Sequence, residues 1–155
     1  MSIKIEDNDN EKNKNFFEIL FSFNNIENNL IYLNICFEIN NNINHELFEN
    51  INNFKLLKYL YMKNFNFDKE FTIKLNSLKV LSIKLCENIK LSDINNDNLE
   101  KLDLSYNKIS DINILEKVNF KQLEALNLSW NKISEIYILE NVNFKELKKL
   151  DLTSN

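Results

Sequence analysis

Residues 99–122 read LEKLDLSYNKISDINILEKVNFKQ, and residues 123–146 read LEALNLSWNKISEIYILENVNFKE. Seventeen of the 24 aligned positions are identical, and a third copy opens at Leu147 as LKKLDLTSN. This self-similarity constrains the fold more than any other feature, because tandem copies of one small unit must pack on one another. LxL has period 2, so Leu102 and Leu104 point to one face of a short strand. Leu126 and Leu128 do the same in the next copy, and Leu150 and Leu152 in the third. One copy cannot bury these leucines alone; stacked copies share a continuous core. Asn107, Asn131 and Asn155 stand where the chain leaves each strand. A side-chain amide there can pair with the backbone groups of the turn.

Beyond each Asn the apolar spacing changes. Ile109, Ile112, Leu115 and Val118 step by three, as do Ile133, Ile136, Leu139 and Val142. Steps of three suit 3-10 turns or a short helix on the outer side. Phe120 and Phe144 then close each turn. The pattern resembles the leucine-rich repeats of the phosphatase-regulator subclass, LxxLxLxxNxIxxIxxL, here extended to 24 residues. The resemblance implies an α/β fold: a right-handed solenoid with a parallel concave β-sheet and short helices or 3-10 turns on the convex side.

Earlier copies are less regular. Leu78-x-x-Leu81-x-Ile83-x-x-Cys86 fits, with Cys in the Asn position. Leu57-x-x-Leu60-x-Met62 fits the strand and puts Phe65 in the Asn position. A one-residue shift (Leu56, Tyr59, Tyr61, Asn64) would restore an Asn and turn every side chain over. The first register is preferred, since buried Leu60 and Met62 leave no hydroxyl unpaired. Leu30-x-x-Leu33-x-Ile35 is an earlier strand, with Glu38 in the Asn position. The stretch between it and Leu57 has room for a helix with Leu47, Phe48, Ile51 and Phe54 on its apolar face. Repeats thus start at 30, 57, 78, 99, 123 and 147. Residues 16–29 are read as an atypical N-terminal cap, and residues 1–15 as polar and frayed. Asn155 closes a strand with no outer turn after it, so the chain is read as a fragment of a longer protein or reading frame.

Composition narrows the function. The chain has 155 residues, a net charge of −4, no Gly and no Pro. It also lacks Arg, holds one Ala (Ala125) and has 31 Asn. Such usage follows the codons of an AT-rich genome, so Asn abundance alone says nothing of function. Without Gly, a phosphate-cradling loop is excluded. Corners normally built on Gly are expected to be made by Asn, which tolerates positive φ better than other side-chain residues. Interspersed charge without Arg gives no stripe for nucleic acid. No apolar run reaches membrane-spanning length, and no signal-peptide core precedes the charged start. Cys36 and Cys86 fit no metal or redox spacing and suit a reducing cytoplasm.

The residues between the inward leucines face the concave surface. Across the repeats they are Tyr32, Tyr59, Val80, Lys101, Ala125 and Lys149, then Asn34, Tyr61, Ser82, Asp103, Asn127 and Asp151. Farther along come Cys36, Lys63, Lys84, Ser105, Ser129 and Thr153, and then Phe37, Asn64, Leu85, Tyr106, Trp130 and Ser154. The two near-identical copies differ here at Lys101/Ala125, Asp103/Asn127 and Tyr106/Trp130, while their inward leucines are the same. Tyr and Trp are common binding anchors. The expected partner-binding residues are Tyr59, Tyr61, Lys84, Lys101, Asp103, Tyr106, Asn127, Trp130, Lys149 and Asp151.

Catalytic readings are weaker. His45 is the only His and reads as a solvated helix start. A zinc site of Cys36, His45 and Cys86 lacks a fourth ligand. Asp103 and Asp151 lie two strands apart, about 10 Å, and read as solvated carboxylates rather than a glycosidase pair. Asn127-Leu128-Ser129 matches a glycosylation acceptor without an export signal. Lys117-Val118-Asn119-Phe120 resembles a phosphatase-docking segment, but Val118 and Phe120 recur as core positions of the repeat. The expectation is a cytoplasmic, non-catalytic module without cofactor or metal, binding a protein or peptide and neither nucleic acid nor membrane. The resemblance offers two alternatives: a phosphatase regulatory subunit, or the recognition arm of a ubiquitin ligase or kinase.

Overall fold

The computed structural model describes residues 1–6, 29–42, 51–67, 73–89, 94, 96–116 and 120–155. Its strands are β1 (Ser2–Glu6), β2 (Tyr32–Asn42), β3 (Tyr59–Asn66), β4 (Val80–Lys84), β5 (Lys101–Asp103), β6 (Ala125–Asn127) and β7 (Lys149–Asp151). They form one sheet in sequence order, and every neighbouring pair is parallel. Parallel neighbours in sequence order mean that each turn crosses over on one side and returns one strand further along, which makes a solenoid.

The register follows the leucines. Leu33, Leu60, Leu81, Leu102, Leu126 and Leu150 stand abreast on β2 to β7. The first five are buried to 1 % exposure or less, whereas Leu150 on the last strand is 43 % exposed. Leu60 and Met62 face the core, so β3 has the register that leaves Tyr59 and Tyr61 outward. Leu30, Leu57, Leu78, Leu99 and Leu123 add a second fully buried row. Burying a side chain of this size contributes roughly 1.5–3 kcal/mol, and the rows run unbroken from turn to turn.

Asparagine joins the turns. Asn107 donates from Nδ2 to the carbonyls of Leu104 in its own turn and Ile83 in the preceding one, both at 2.8 Å. Its Oδ1 accepts the Cys86 N–H at 2.8 Å. Asn131 bridges Leu128 and Leu104 in the same way and accepts from Ile109. Asn155 bridges Leu152 and Leu128 and accepts from Ile133. In the position of this Asn, Cys86 accepts the Phe65 N–H on Sγ and gives its own proton to the Lys84 carbonyl.

Among the described residues the convex side carries two 3-10 helices, η1 (Asn113–Glu116) and η2 (Tyr137–Glu140). Ile109, Ile112 and Leu115 pack inward from the first of these turns, as the three-step pattern predicts. In the second, Ile133 and Ile138 are buried, while Ile136 is 54 % exposed and departs from the pattern. Phe120 is buried, so it belongs to the core. Ile51 and Asn52 are helical, with Ile51 and Phe54 buried. His45, Leu47, Phe48, Val118 and most of the cap expected at 16–29 lie outside the described residues.

Two expectations change. The first residues are not all frayed: Ser2–Glu6 pairs with Tyr32–Cys36, because Ile3 and Ile5 supply the same alternation as the later LxL strands. Ile3 packs against the core, and the N-terminal ammonium donates to the Asn29 carbonyl at 3.0 Å. Positive φ, moreover, does not fall on Asn107, Asn131 or Asn155. It falls one residue earlier, on Asn64, Leu85, Tyr106, Trp130 and Ser154, and also on Asn88. The preceding residue turns the corner with its side chain outward, which frees the Asn amide to point into the stack.

Leu126→Ala is expected to cost about 2–5 kcal/mol in urea melts. Leu150→Ala removes the same atoms from a site already 43 % exposed and is expected to cost less than half as much.

Candidate functional site

The sheet lines a concave groove of about 790 Å³ that runs from Asn34 on β2 to Asp151 on β7. Of the ten residues expected at a binding face, the groove gathers Tyr61, Lys84, Lys101, Asp103, Asn127, Lys149 and Asp151. The other three do not line it. Tyr59 stands beside it, while Tyr106 and Trp130 form a rim just past the ends of β5 and β6.

The rim follows from the backbone. The parallel ladder continues beyond the strands, with Leu104 N–H on the Asn127 carbonyl and Tyr106 N–H on the Ser129 carbonyl. Leu85 N–H reaches Tyr106, and Trp130 N–H reaches Thr153. These bonds hold Leu85, Tyr106 and Trp130 at φ of 52°, 58° and 55°. The left-handed region costs a side-chain residue roughly 1–2 kcal/mol. All three side chains project outward on successive turns, and Tyr106 and Trp130 are 46 % and 53 % exposed. Their rings stack at 5.3 Å with planes 7° apart. Stacking of this kind returns about 0.5–1.5 kcal/mol.

A second aromatic group lies at the other end. Tyr32 is 5.3 Å from Tyr61 and 6.3 Å from Tyr59, ring centre to ring centre. Burial, and then the neighbouring Tyr32 and Tyr59, push the Tyr61 phenol above its ordinary value. Tyr32 is missing from the expected site residues, although it occupies the same repeat position as Tyr59. Lys63 and Lys148, which also line the groove, are missing as well.

The polar residues of the face are bound locally. Asp103 Oδ1 accepts both the N–H and the hydroxyl of Ser105, and its Oδ2 lies 2.6 Å from Lys84 Nζ. Asn127 accepts the same pair of bonds from Ser129, and Asp151 from Thr153. These tight turns carry Ser105 and Ser129 inward, to 1 % and 4 % exposure, so neither faces the groove as strict alternation predicts. A glycan on Asn127 would have to break this turn. The bonds from Thr153 hold the Asp151 carboxyl below its ordinary range, opposite to what a general acid requires. Burial pushes the Cys86 thiol up to about 12. Among the described residues no group of three or more His, Cys, Asp or Glu side chains is placed to hold a metal ion. No helix in them is long and apolar enough to cross a membrane.

Residues 97–141 match the family model described as Leucine Rich repeats (2 copies). Comparison with curated proteins gives no match.

Two measurements check this geometry. Glycine carries no Cβ penalty at positive φ, so Leu85→Gly is expected to be more stable than Leu85→Ala by about 1 kcal/mol in denaturant melts. The buried neutral thiol of Cys86 is expected to escape iodoacetamide at neutral pH until the chain is unfolded, as read by peptide mapping. Because its folded pKa is the raised one, the stability it contributes is complete below about pH 9 and falls as pH climbs towards about 12.

Proposed function

The chain is a leucine-rich repeat protein, and we propose that its concave face is a non-catalytic docking surface for a protein partner. Leucine-rich repeat domains generally mediate protein–protein interaction, and the proposal places that role on named residues. The observation that carries it is the exposed Tyr106–Trp130 stack. Two large rings stand in solvent on a backbone conformation that each would be less strained to avoid. Neither ring contributes to the buried core. Aromatic side chains held rigid before binding lose little freedom when a partner covers them, which is why Tyr and Trp dominate binding hot spots. The groove beside them supplies a polar surface of mixed charge, and the tyrosines of β2 and β3 close its far end.

A phosphatase-docking role for Lys117–Phe120 gains no support from Phe120, which is buried in the core. The Asp103 and Asp151 carboxylates are engaged by serine, threonine and lysine partners, an arrangement that suits a recognition surface better than proton transfer.

Trp130→Ala and Tyr106→Ala are each expected to leave stability within about 1 kcal/mol and to weaken partner binding tenfold or more. Quantitative affinity capture comparing the original chain with both variants reads the binding. Trp130 is the only tryptophan, so its fluorescence reports directly on burial of the rim by a partner. Loss of about 3 kcal/mol on Trp130→Ala would place this ring in the core and overturn the reading.

A further inference from the structure

The chain as a whole is acidic, with 23 Asp and Glu against 19 basic residues. The groove reverses that sign. Lys63, Lys84, Lys101, Lys148 and Lys149 line it, against Asp103 and Asp151. Glu124 stands close by, with its carboxyl lowered chiefly by the Lys148 hydrogen bond and further by Lys101, and Glu146 is a second acid near Lys148.

Several lysines bridge to an acid on a neighbouring turn. Lys79 pairs with Glu100, Lys108 with Glu87, Lys121 with Asp97 and Lys148 with Glu124. Lys84 is matched by Asp103 inside the groove. Of the five groove lysines, Lys63, Lys101 and Lys149 have no such partner among the described residues. A concave surface with low-dielectric walls concentrates the field of such charges.

We infer that the segment docking in this groove is acidic: an extended stretch of the partner, rich in Asp and Glu, crossing the strands. The inference rests on the concave-face reading above and names the chemistry of its occupant. Spacing supports an extended chain. Lys101 and Lys149 stand on β5 and β7 with the small Ala125 between them. That separation is about 10 Å at the usual strand spacing. Carboxylates three residues apart on an extended chain of the polyproline II type, which turns once in three residues at about 3.1 Å each, lie on one face and span about the same distance. From β2 to β7 the sheet is about 24 Å wide, enough for roughly seven extended residues.

The test is selection of an unbiased library of displayed heptapeptides on the immobilised full chain. The expected winners are rich in Asp and Glu. Their affinity should fall as ionic strength rises and the screening length drops from about 30 Å to about 3 Å. The double substitution Lys101→Glu with Lys149→Glu should weaken them about tenfold or more while leaving the thermal midpoint unchanged. Neutral or basic winners that still depend on Trp130 overturn the acidic occupant and leave the concave-face reading standing. Winners indifferent to both Trp130→Ala and the lysine substitutions overturn both. An empty selection overturns the extended acidic segment.

Discussion

Each of the last three turns of this solenoid is tied to the one before it by a side-chain amide. Asn107, Asn131 and Asn155 each donate to one carbonyl in their own turn and one in the preceding turn, and each accepts a backbone N–H in return. Without it these backbone groups would lie unpaired at the edge of a packed core, at about 1–3 kcal/mol apiece. The amide therefore fixes the separation of successive turns. The leucine rows can then interdigitate, and the strands fall into the register that sets every residue of the concave face.

The turn that admits this amide also shapes the surface. To aim the Asn inward, the residue before it passes through positive φ, and its side chain leaves the stack on the concave rim. Three residues earlier still, the Asp103-type side chain binds Ser105 or its equivalent and bends the strand's end inward. Core bonding and surface display are consequences of one corner.

The repeat period and the inward leucines were legible in the sequence because they obey simple periodicities. The details that escaped do not. Alternation carried past Asp103 and Asn127 puts Ser105 and Ser129 on the groove, yet the hydroxyl-to-carboxylate or hydroxyl-to-amide bond ends the alternation there and buries both. β1 was hidden because Ile3 and Ile5 form a strand only against β2, and five polar-flanked residues carry no repeat signature alone. The missing left-handed glycine pointed to Asn as the substitute, but the Asn is required for hydrogen bonding one step later. On the binding face, Tyr59, Tyr61, Lys101 and Trp130 could be placed by position within the repeat. The pairing of Lys84 with Asp103, and its absence at Lys101, depends on side-chain reach across turns of unequal length.

Glycine would relieve strain at each corner, and the chain has none. Asn takes the position at residue 64, where the cost is small, and Ser takes it at residue 154; Leu, Tyr and Trp take it at 85, 106 and 130. The absence of glycine does not account for the choice of large apolar and aromatic replacements, since Asn is abundant in this chain, with 31 copies. At three consecutive corners the sequence accepts roughly 1–2 kcal/mol of backbone cost per residue and leaves the side chains in solvent. The Tyr106–Trp130 stack offsets part of that cost. That imbalance is the physical ground for placing recognition on this edge rather than on the convex side, where Ile136 and Tyr137 are also exposed but stand on backbone without positive φ.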